Sequence, residues 1–305
     1  MSSSSALTAG DDNASTTAPS HQRLQQNTIE VFGRYRRLNQ RAPCDRQRVY
    51  LVRSAHRLDH SDPDWIALSQ LNQDSYTPIS IDFPIKLPRR RNNRQDYACD
   101  PPLSEFGQLT GLIAGRELRL QGVDIRYIFA ASALSCVQTA AAIIKGYRTD
   151  VKVCIEPGLA DYPTSSSLMT PHELRAVGYP IDVNYSPQFV DETNEPPQQQ
   201  YERIGRVVRS LLKYVQQHGG SQGSTLMVGN ALTVDAIIRS LRNRPLSTAL
   251  TSETAALDLH YPACCALALE QSRDRSEYNI VTSAVRPITH LDTTNAVDLT
   301  FADRA

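Results

Sequence analysis

The sequence predicts an α/β fold, a three-layer structure with a mainly parallel central sheet flanked by helices. Apolar runs with strand character alternate with segments of helical periodicity from residue 48 to residue 283, which is typical of parallel strands joined by right-handed helical crossovers. The chain of 305 residues is long enough for one large domain or two small ones. We predict one domain over residues 47–293, preceded by an N-terminal segment, 1–46, and followed by a C-terminal tail, 294–305.

The N-terminal segment is predicted to be disordered, with a short helix near Ile29–Tyr35. It is rich in Ser, Thr, Ala, Gln and Arg and shows little apolar periodicity, which is typical of chains that bury too little apolar surface to fold. It has no apolar run of a secretory signal, and it contains Asp11 and Asp12 but no arginine before Arg23. These features argue against a secretory or a transit peptide.

The first strand and the first long helix are separated by an irregular stretch, residues 60–100. Val49–Val52 is a compact apolar run of the kind that buried strands show. Ser104 as N-cap and Gly122 as a stop bound the helix. The stretch between them contains the basic residues Lys86, Arg89, Arg90, Arg91 and Arg94. A solvated loop is the favoured interpretation of this run, with a phosphate-recruiting lip or a nuclear-import patch as alternatives.

The rest of the domain continues the alternation of strands and helices. Residues 160–200 are rich in proline and are predicted to be irregular. Glycines are predicted to end two helices, at Gly146 and at Gly219. The predicted strands are Ile125–Phe129, Val151–Ile155, Leu226–Val228, Ala263–Leu269 and Ile280–Ser283, and the predicted helices are Leu134–Ile144, Ile204–Val215 and Ala231–Leu241.

The composition argues against several function classes. Lys+Arg and Asp+Glu are balanced at 32 each, so that no net charge favours nucleic acid or an anionic membrane, and no apolar run approaches the roughly 20 residues that span a bilayer. Cysteines and histidines lack zinc-ligand spacing, and we expect no metal and no cofactor. Six cysteines without a regular framework indicate reduced thiols. A cytoplasmic protein is therefore predicted, with the nucleus as the alternative.

Candidate site residues follow four of the predicted strands, because sites in open α/β sheets form at the carboxyl ends of strands. Two arginines, Arg53 and Arg57, follow the first strand. They can bind an anion through charge-assisted hydrogen bonds, or they are structural ion-pair partners; the residues alone favour neither interpretation. The four segments are Arg53–Asp59, Ala131–Ser135, Glu156–Tyr162 and Gly229–Ala231.

In chain order, these four segments resemble the histidine phosphatase (phosphoglycerate mutase-like) superfamily. The similarity is strongest to the phosphatase domain of the ubiquitin-associated and SH3-domain-containing phosphatases and to the ecdysteroid-phosphate phosphatases. It extends from Val49 to Thr289 and includes Tyr97–Gly107, Ser135–Ala140 and Glu156–Leu159. The resemblance implies a histidine phosphatase-like fold, a role in signalling and a homodimer.

The first segment departs from the family's pattern at its most important position. The family has Arg-His-Gly-Glu-Arg here, in which the His is the nucleophile that accepts the phosphoryl group. This chain keeps Arg53 and Arg57 in the two Arg places, as a remnant phosphate site, but has Ser54 in the His place. Ala55 replaces the Gly and His56 replaces the Glu.

Three further positions of the family's pocket also differ. A phosphate-binding Arg of the family falls on Ser135, the second His falls on Asn230, and the general-acid Glu falls on Asp161. Asp161 is either a carboxylate of the pocket or a residue that caps a helix or fixes a loop. Without the second His, the Ser54 hydroxyl lacks a base, and an unactivated hydroxyl is a poor nucleophile near neutral pH.

We therefore predict a pseudophosphatase without catalytic residues that acts through binding. It would serve as a scaffold or adaptor for a protein partner that the sequence does not name, or as a sensor that binds a phosphorylated ligand weakly through Arg53 and Arg57. The alternative is an active phosphatase on phosphotyrosine or a small phosphate ester. In that case His56, which alternation along an extended segment places on the side of Ser54, would be the substitute nucleophile.

Overall fold

The structure is a computed structural model, and its described residues contain six strands that form one mixed sheet at the centre. The order is β3-β2-β4-β1-β5-β6; the first four strands are parallel, whereas β5 and β6 are antiparallel to their neighbours. Helices flank the sheet, so the predicted α/β fold with a mainly parallel sheet is confirmed. The strands are β1 (Arg48–Arg53), β2 (Ile125–Ala130), β3 (Val153–Ile155), β4 (Ser224–Gly229), β5 (Ala266–Gln271) and β6 (Tyr278–Ile280).

The structure describes most of the predicted domain and part of the predicted tail. The predicted N-terminal disorder and the helix near Ile29–Tyr35 lie outside the described residues. None of the helices described is both long and apolar enough to cross a membrane. The described residues are 47–71, 75–161, 166–189, 195–219, 223–244, 257–273, 277–282, 284–285 and 297–303.

The register of the central strands brings their carboxyl ends to one edge of the sheet. Arg53 at the end of β1 pairs with Gly229 at the end of β4. Ala130 at the end of β2 pairs with Val228 on one side and with Ile155 on the other. β4 is buried throughout, and β1 is buried after its first residue, because both lie inside the sheet and are covered on both faces.

Ten helices are described, and two of the four long ones, α4 and α8, have the bounds that the sequence indicates, whereas α7 begins at Pro197 rather than at Ile204. Ser104 caps α4, because its side chain accepts a hydrogen bond from the Gly107 backbone at 3.1 Å. The helices are α1 (Leu58–Ser61), α2 (Trp65–Leu68), α3 (Asn93–Cys99), α4 (Glu105–Leu120), α5 (Leu134–Tyr147), α6 (Pro171–Ala176), α7 (Pro197–Gly219), α8 (Ala231–Leu241), α9 (Leu257–His260) and α10 (Leu299–Asp303).

Several elements differ from the predicted ones. The stretch 60–100 contains short helices, two of which pack through the rings of Trp65 and Tyr97, 5.9 Å apart, and the proline-rich stretch 160–200 contains α6. β5 begins at Ala266 rather than Ala263, and β6 ends at Ile280. Residues 299–303 of the predicted tail form α10, whose Phe301 is fully buried. Such short elements depend on tertiary contacts and carry little periodicity of their own.

The prediction that Gly146 ends its helix is wrong, because this glycine serves the contact between α4 and α5. The helix continues to Tyr147 and is followed by Arg148, whose φ of 60° is left-handed. A Cβ atom at Gly146 would lie 1.9 Å from the Leu112 carbonyl oxygen, and one at Gly115 would lie 2.1 Å from the Ile143 carbonyl oxygen. The two backbones therefore approach each other as closely as only glycine permits.

The substitution Gly115→Ala is expected to destabilise the fold by about 1–3 kcal/mol. Alanine is favoured over glycine in a helix by up to about 1 kcal/mol, but the clash is with backbone atoms, which cannot rotate away. Urea denaturation measures the difference, and the exposed neighbour in the variant Arg116→Ala is the matched control. Equal stability of Gly115→Ala and Arg116→Ala would show that α4 and α5 are not in this close contact.

Candidate functional site

The side chain of Asn230 is the centre of a hydrogen-bonded group at the carboxyl edge of the sheet. Its Oδ1 accepts from Ser54 Oγ at 3.0 Å and from Cys136 Sγ at 3.4 Å. Its Nδ2 donates to Asp161 Oδ2 at 3.0 Å. This orientation of the amide is the one that suits its neighbours, because a carboxylate can only accept whereas a hydroxyl and a thiol can donate. The structure thus brings together three of the predicted site residues and adds Cys136.

Asp161 has both carboxylate oxygens engaged by neighbouring side chains. The Thr233 hydroxyl lies 3.2 Å from Asp161 Oδ1 and 2.7 Å from the Leu159 carbonyl oxygen, between which it shares its proton. Burial raises the pKa of Asp161, and the hydrogen bonds from Asn230 and Thr233 only partly oppose this effect. Asp161 thus contacts Thr233, which also binds the loop at Leu159, and it contacts Asn230 at the centre of the site. Both predicted roles of Asp161, in fixing the loop and as a carboxylate of the pocket, are compatible with this geometry.

A buried arginine that the sequence analysis missed positions the backbone before Asp161. Arg203 of α7 is fully buried, and it donates to the carbonyl oxygens of Gly158 and Ala160 at 2.6 and 2.9 Å. Its Nε pairs with Glu195 at 2.7 Å. These contacts clamp the 3₁₀ turn Pro157–Leu159. An arginine within an amphipathic helix gives no sequence signal of such a role.

Each of the two predicted phosphate-binding arginines is paired with a carboxylate. Arg53 Nη2 lies 2.8 Å from Asp258 Oδ1. Arg57 donates to both oxygens of Asp59, at 2.9 and 2.5 Å. Burial works against the charge of Arg57, but the hydrogen bond and the charge of Asp59 raise its pKa above the ordinary value. The positive charge of each of these two arginines is thus balanced by a carboxylate of the protein itself.

His56 lies near the site without a described contact to the Asn230 group, whereas the side chain of Ser135 is hydrogen-bonded to Cys136 of that group. Ser135 is buried in the first turn of α5, and its carbonyl oxygen accepts from the Thr139 hydroxyl at 2.7 Å. His56 Nδ1 lies 2.9 Å from Ser61 Oγ, and its ring meets the edge of Phe106 with centroids 6.2 Å apart. The partners of His56 are therefore α1 and α4, whereas Ser54 is bonded to Asn230.

The basic run 86–94 does not lie entirely on a solvated loop, which corrects the favoured interpretation of the sequence. Arg90 is buried and donates to the Asp100 carboxylate and carbonyl, each at 2.8 Å, and to the Ser167 carbonyl. Asp100 in turn accepts from the backbone of Leu134 at 2.8 Å, at the start of α5. Arg91 pairs with Glu173 at the surface.

In the ranges that the structure describes, no group of three or more His, Cys, Asp or Glu side chains could hold a metal ion.

The fold and the arrangement of the strand ends define a phosphatase-like α/β protein, and the chain belongs to the histidine phosphatase superfamily (branch 1). The model of that family matches residues 88–273. This range begins after the segment that contains Arg53, Ser54, His56 and Arg57.

Two groups of proteins share the similarity over most of the chain. The human ubiquitin-associated and SH3 domain-containing protein A is 28% identical over 258 residues, which cover 82% of this chain and 39% of that protein. The ecdysteroid-phosphate phosphatase of Bombyx mori is 28% identical over 204 residues, which cover 64% of this chain and 30% of that protein. The chain thus spans well under half the length of these relatives.

The likeness extends to a solved structure. The crystal structure of the ecdysone phosphate phosphatase from Bombyx mori in complex with tungstate has a TM-score of 0.68 and a sequence identity of 26%. The match covers 79% of this chain and 94% of that chain. The predicted resemblance to this family is therefore confirmed.

The substitution Asp161→Asn is expected to stabilise the protein at neutral pH. Because the pKa of Asp161 is raised, the folded state binds the proton more tightly than the unfolded state. The protonated carboxyl therefore contributes its full stability below the ordinary pKa of 3.8, and this contribution is lost as the pH rises through the pKa of the folded state. The new amide can accept from Asn230 and donate to Thr233 without a buried charge. We expect a melting temperature about 2–4 °C higher at pH 7, with the gain shrinking toward pH 3.5.

Thermal unfolding across this pH range measures the effect, and Asp150→Asn on the surface is the matched control. A melting temperature that falls at pH 7 would show that the Asp161 charge is needed by the site.

Proposed function

We propose that this chain is a non-catalytic member of its superfamily that acts through binding, as a scaffold or adaptor or as a sensor of a phosphorylated ligand. The observation that carries the proposal is the hydrogen bond from Ser54 Oγ to the amide oxygen of Asn230, at 3.0 Å. An amide oxygen does not accept a proton near neutral pH. The side chain beside the hydroxyl therefore cannot act as the general base that a serine nucleophile requires.

The other groups of the site do not supply the missing chemistry. Burial strongly raises the pKa of Cys136, and the charge of Asp161 adds to this effect, so the thiolate that would act as nucleophile is scarce. Asp161 has the raised pKa of a general acid, but Asn230 and Thr233 occupy its oxygens. Loss of a nucleophile alone costs on the order of 10⁶ in rate.

The binding role is supported by what the site retains. Arg53 keeps a buried guanidinium at the end of β1, and Arg57 lies four positions further along the chain. The Bombyx mori relative was crystallised with tungstate, a tetrahedral oxyanion like phosphate. Two cations in place of a larger group would hold such an anion weakly, since each charge-assisted hydrogen bond contributes about 1.5–3 kcal/mol before the costs of binding.

The state of the cysteines bears on the compartment in which the protein acts. The described cysteines, Cys99, Cys136, Cys154, Cys264 and Cys265, are all unbridged, which supports a reducing compartment such as the cytoplasm or nucleus. The role in signalling and the homodimer stay predictions from the family resemblance.

Purified protein is expected to hydrolyse neither p-nitrophenyl phosphate nor phosphotyrosine peptides above the background of the buffer. The reason is that Ser54 has an amide rather than a base beside it. The variant His56→Ala is the control, because it removes the residue that an active enzyme would use instead. Turnover by the wild type that is lost in His56→Ala would contradict the proposal and establish the phosphatase alternative.

A further inference from the structure

We propose that Asp258 is an intramolecular competitor that occupies Arg53 until the phosphoryl group of a ligand displaces it. This inference rests on the proposed function and adds to it a contact that holds the binding site closed. Asp258 lies on α9, and its Oδ1 is 2.8 Å from Arg53 Nη2. The two residues are separated by 205 positions in the chain, so the pair is a product of the fold.

The pair is asymmetric in a way that favours exchange. The side chain of Arg53 is 8% exposed, whereas that of Asp258 is 52% exposed. The carboxylate can therefore move into water at little cost, while the guanidinium stays buried and needs a replacement for its negative partner. An incoming anion provides that replacement.

Arg53 has an unused donor that a phosphoryl group can satisfy. Its Nε is buried and has no hydrogen-bond partner among the residues that the structure describes. Leaving a buried donor without a partner is unfavourable. A phosphoryl group has three oxygens and can bind Nε and Nη2 together in the bidentate manner typical of arginine. Asp258 is bonded to Nη2 alone and therefore leaves the site incomplete.

The carboxylate of Asp258 also acts on a second arginine of the site. Burial works against the charged form of Arg57, whereas the charges of Asp59 and Asp258 act to raise its pKa. Asp258 thus lies where negative charge is attracted by both Arg53 and Arg57. A phosphoryl group at this place would experience the same attraction.

The C-terminal segment holds α9 in position. His260 Nδ1 lies 2.9 Å from Asp298 Oδ2, and its ring stacks on that of Phe301 with centroids 3.8 Å apart. The Asp298 backbone also donates to the His260 carbonyl oxygen at 2.9 Å. Because Leu257 is buried as well, the helix is anchored at both ends, and the exchange involves rotation of the Asp258 side chain.

The test compares anion binding by the wild type and by Asp258→Asn, using calorimetric titration of the full chain with inorganic phosphate and, separately, with O-phosphotyrosine. Removal of the competing charge is expected to raise the association constant of both ligands at least about tenfold, which corresponds to about 1.4 kcal/mol. Arg53→Ala is expected to abolish binding in both backgrounds. Asp258→Ala serves as a second variant, and circular dichroism verifies the fold of each protein.

Asp124→Asn is the matched control, because Asp124 has the same 52% exposure and pairs with Arg126 at 2.9 Å away from the site. An equal gain in Asp124→Asn would overturn the inference, since it would reveal a general charge effect.

Binding that Arg53→Ala abolishes but that Asp258→Asn and Asp258→Ala leave unchanged would refute the competitor role alone. Absence of binding in every protein would refute the sensor role as well, and hydrolysis by Asp258→Asn would contradict the non-catalytic function without affecting the competition.

Discussion

The amide of Asn230 connects the carboxyl ends of the four parallel strands that the structure describes. Asn230 itself follows β4, and it is bonded to Ser54 after β1, to Cys136 in the helix after β2, and to Asp161 after β3. An amide can donate and accept at the same time and carries no charge at any physiological pH. The place where the four segments meet is therefore held by a neutral group that is bonded to its own neighbours.

This arrangement accounts for an ordered edge of the sheet, and it is consistent with the non-catalytic role that we propose. Catalysis needs preorganised charges and donors that face the reacting atoms. Here the polar groups are bonded to one another, Arg57 is paired with Asp59, and Arg53 is paired with Asp258. A satisfied buried network stabilises a unique structure, whereas a site that awaits a substrate must leave donors unpaired. Among the described residues of the site, Arg53 Nε is a buried donor without a hydrogen-bond partner.

The sequence was sufficient for the order of the strands and long helices along the chain and for the edge of the sheet at which the site lies. Strands and long helices carry their own periodicity, and α8 has the predicted bounds, Ala231–Leu241. Gly146 was misjudged because a glycine required by a neighbouring helix resembles a glycine that ends one. The contacts of Arg203 and Asp258 were not predictable, because each depends on partners far away in the chain, and hydrogen bonds of this kind leave no pattern in the sequence.

The site residues illustrate the same limit. The family resemblance selected Ser54, Asp161 and Asn230, and both Ser54 and Asp161 do lie within hydrogen-bond distance of Asn230. It gave no indication that Cys136 would join them, since its thiol points to Asn230 only after α5 has been placed against the sheet. Nor did it decide whether Arg53 and Arg57 bind an anion or are ion-pair partners, and the structure pairs each of them with a carboxylate.

The central claim is that a few side chains separate this protein from a phosphatase while the fold around them is kept. The most direct measurement is the detection of phosphohistidine by mass spectrometry after the triple variant Ser54→His, Ser135→Arg and Asn230→His has been incubated with p-nitrophenyl phosphate. The double variant Ser135→Arg and Asn230→His, which keeps Ser54, is the control. We expect a phosphoryl group at position 54 of the triple variant and none on the control or the wild type. A well-folded triple variant that neither acquires the phosphoryl group nor binds phosphate would contradict the assignment of these positions to the family's pocket.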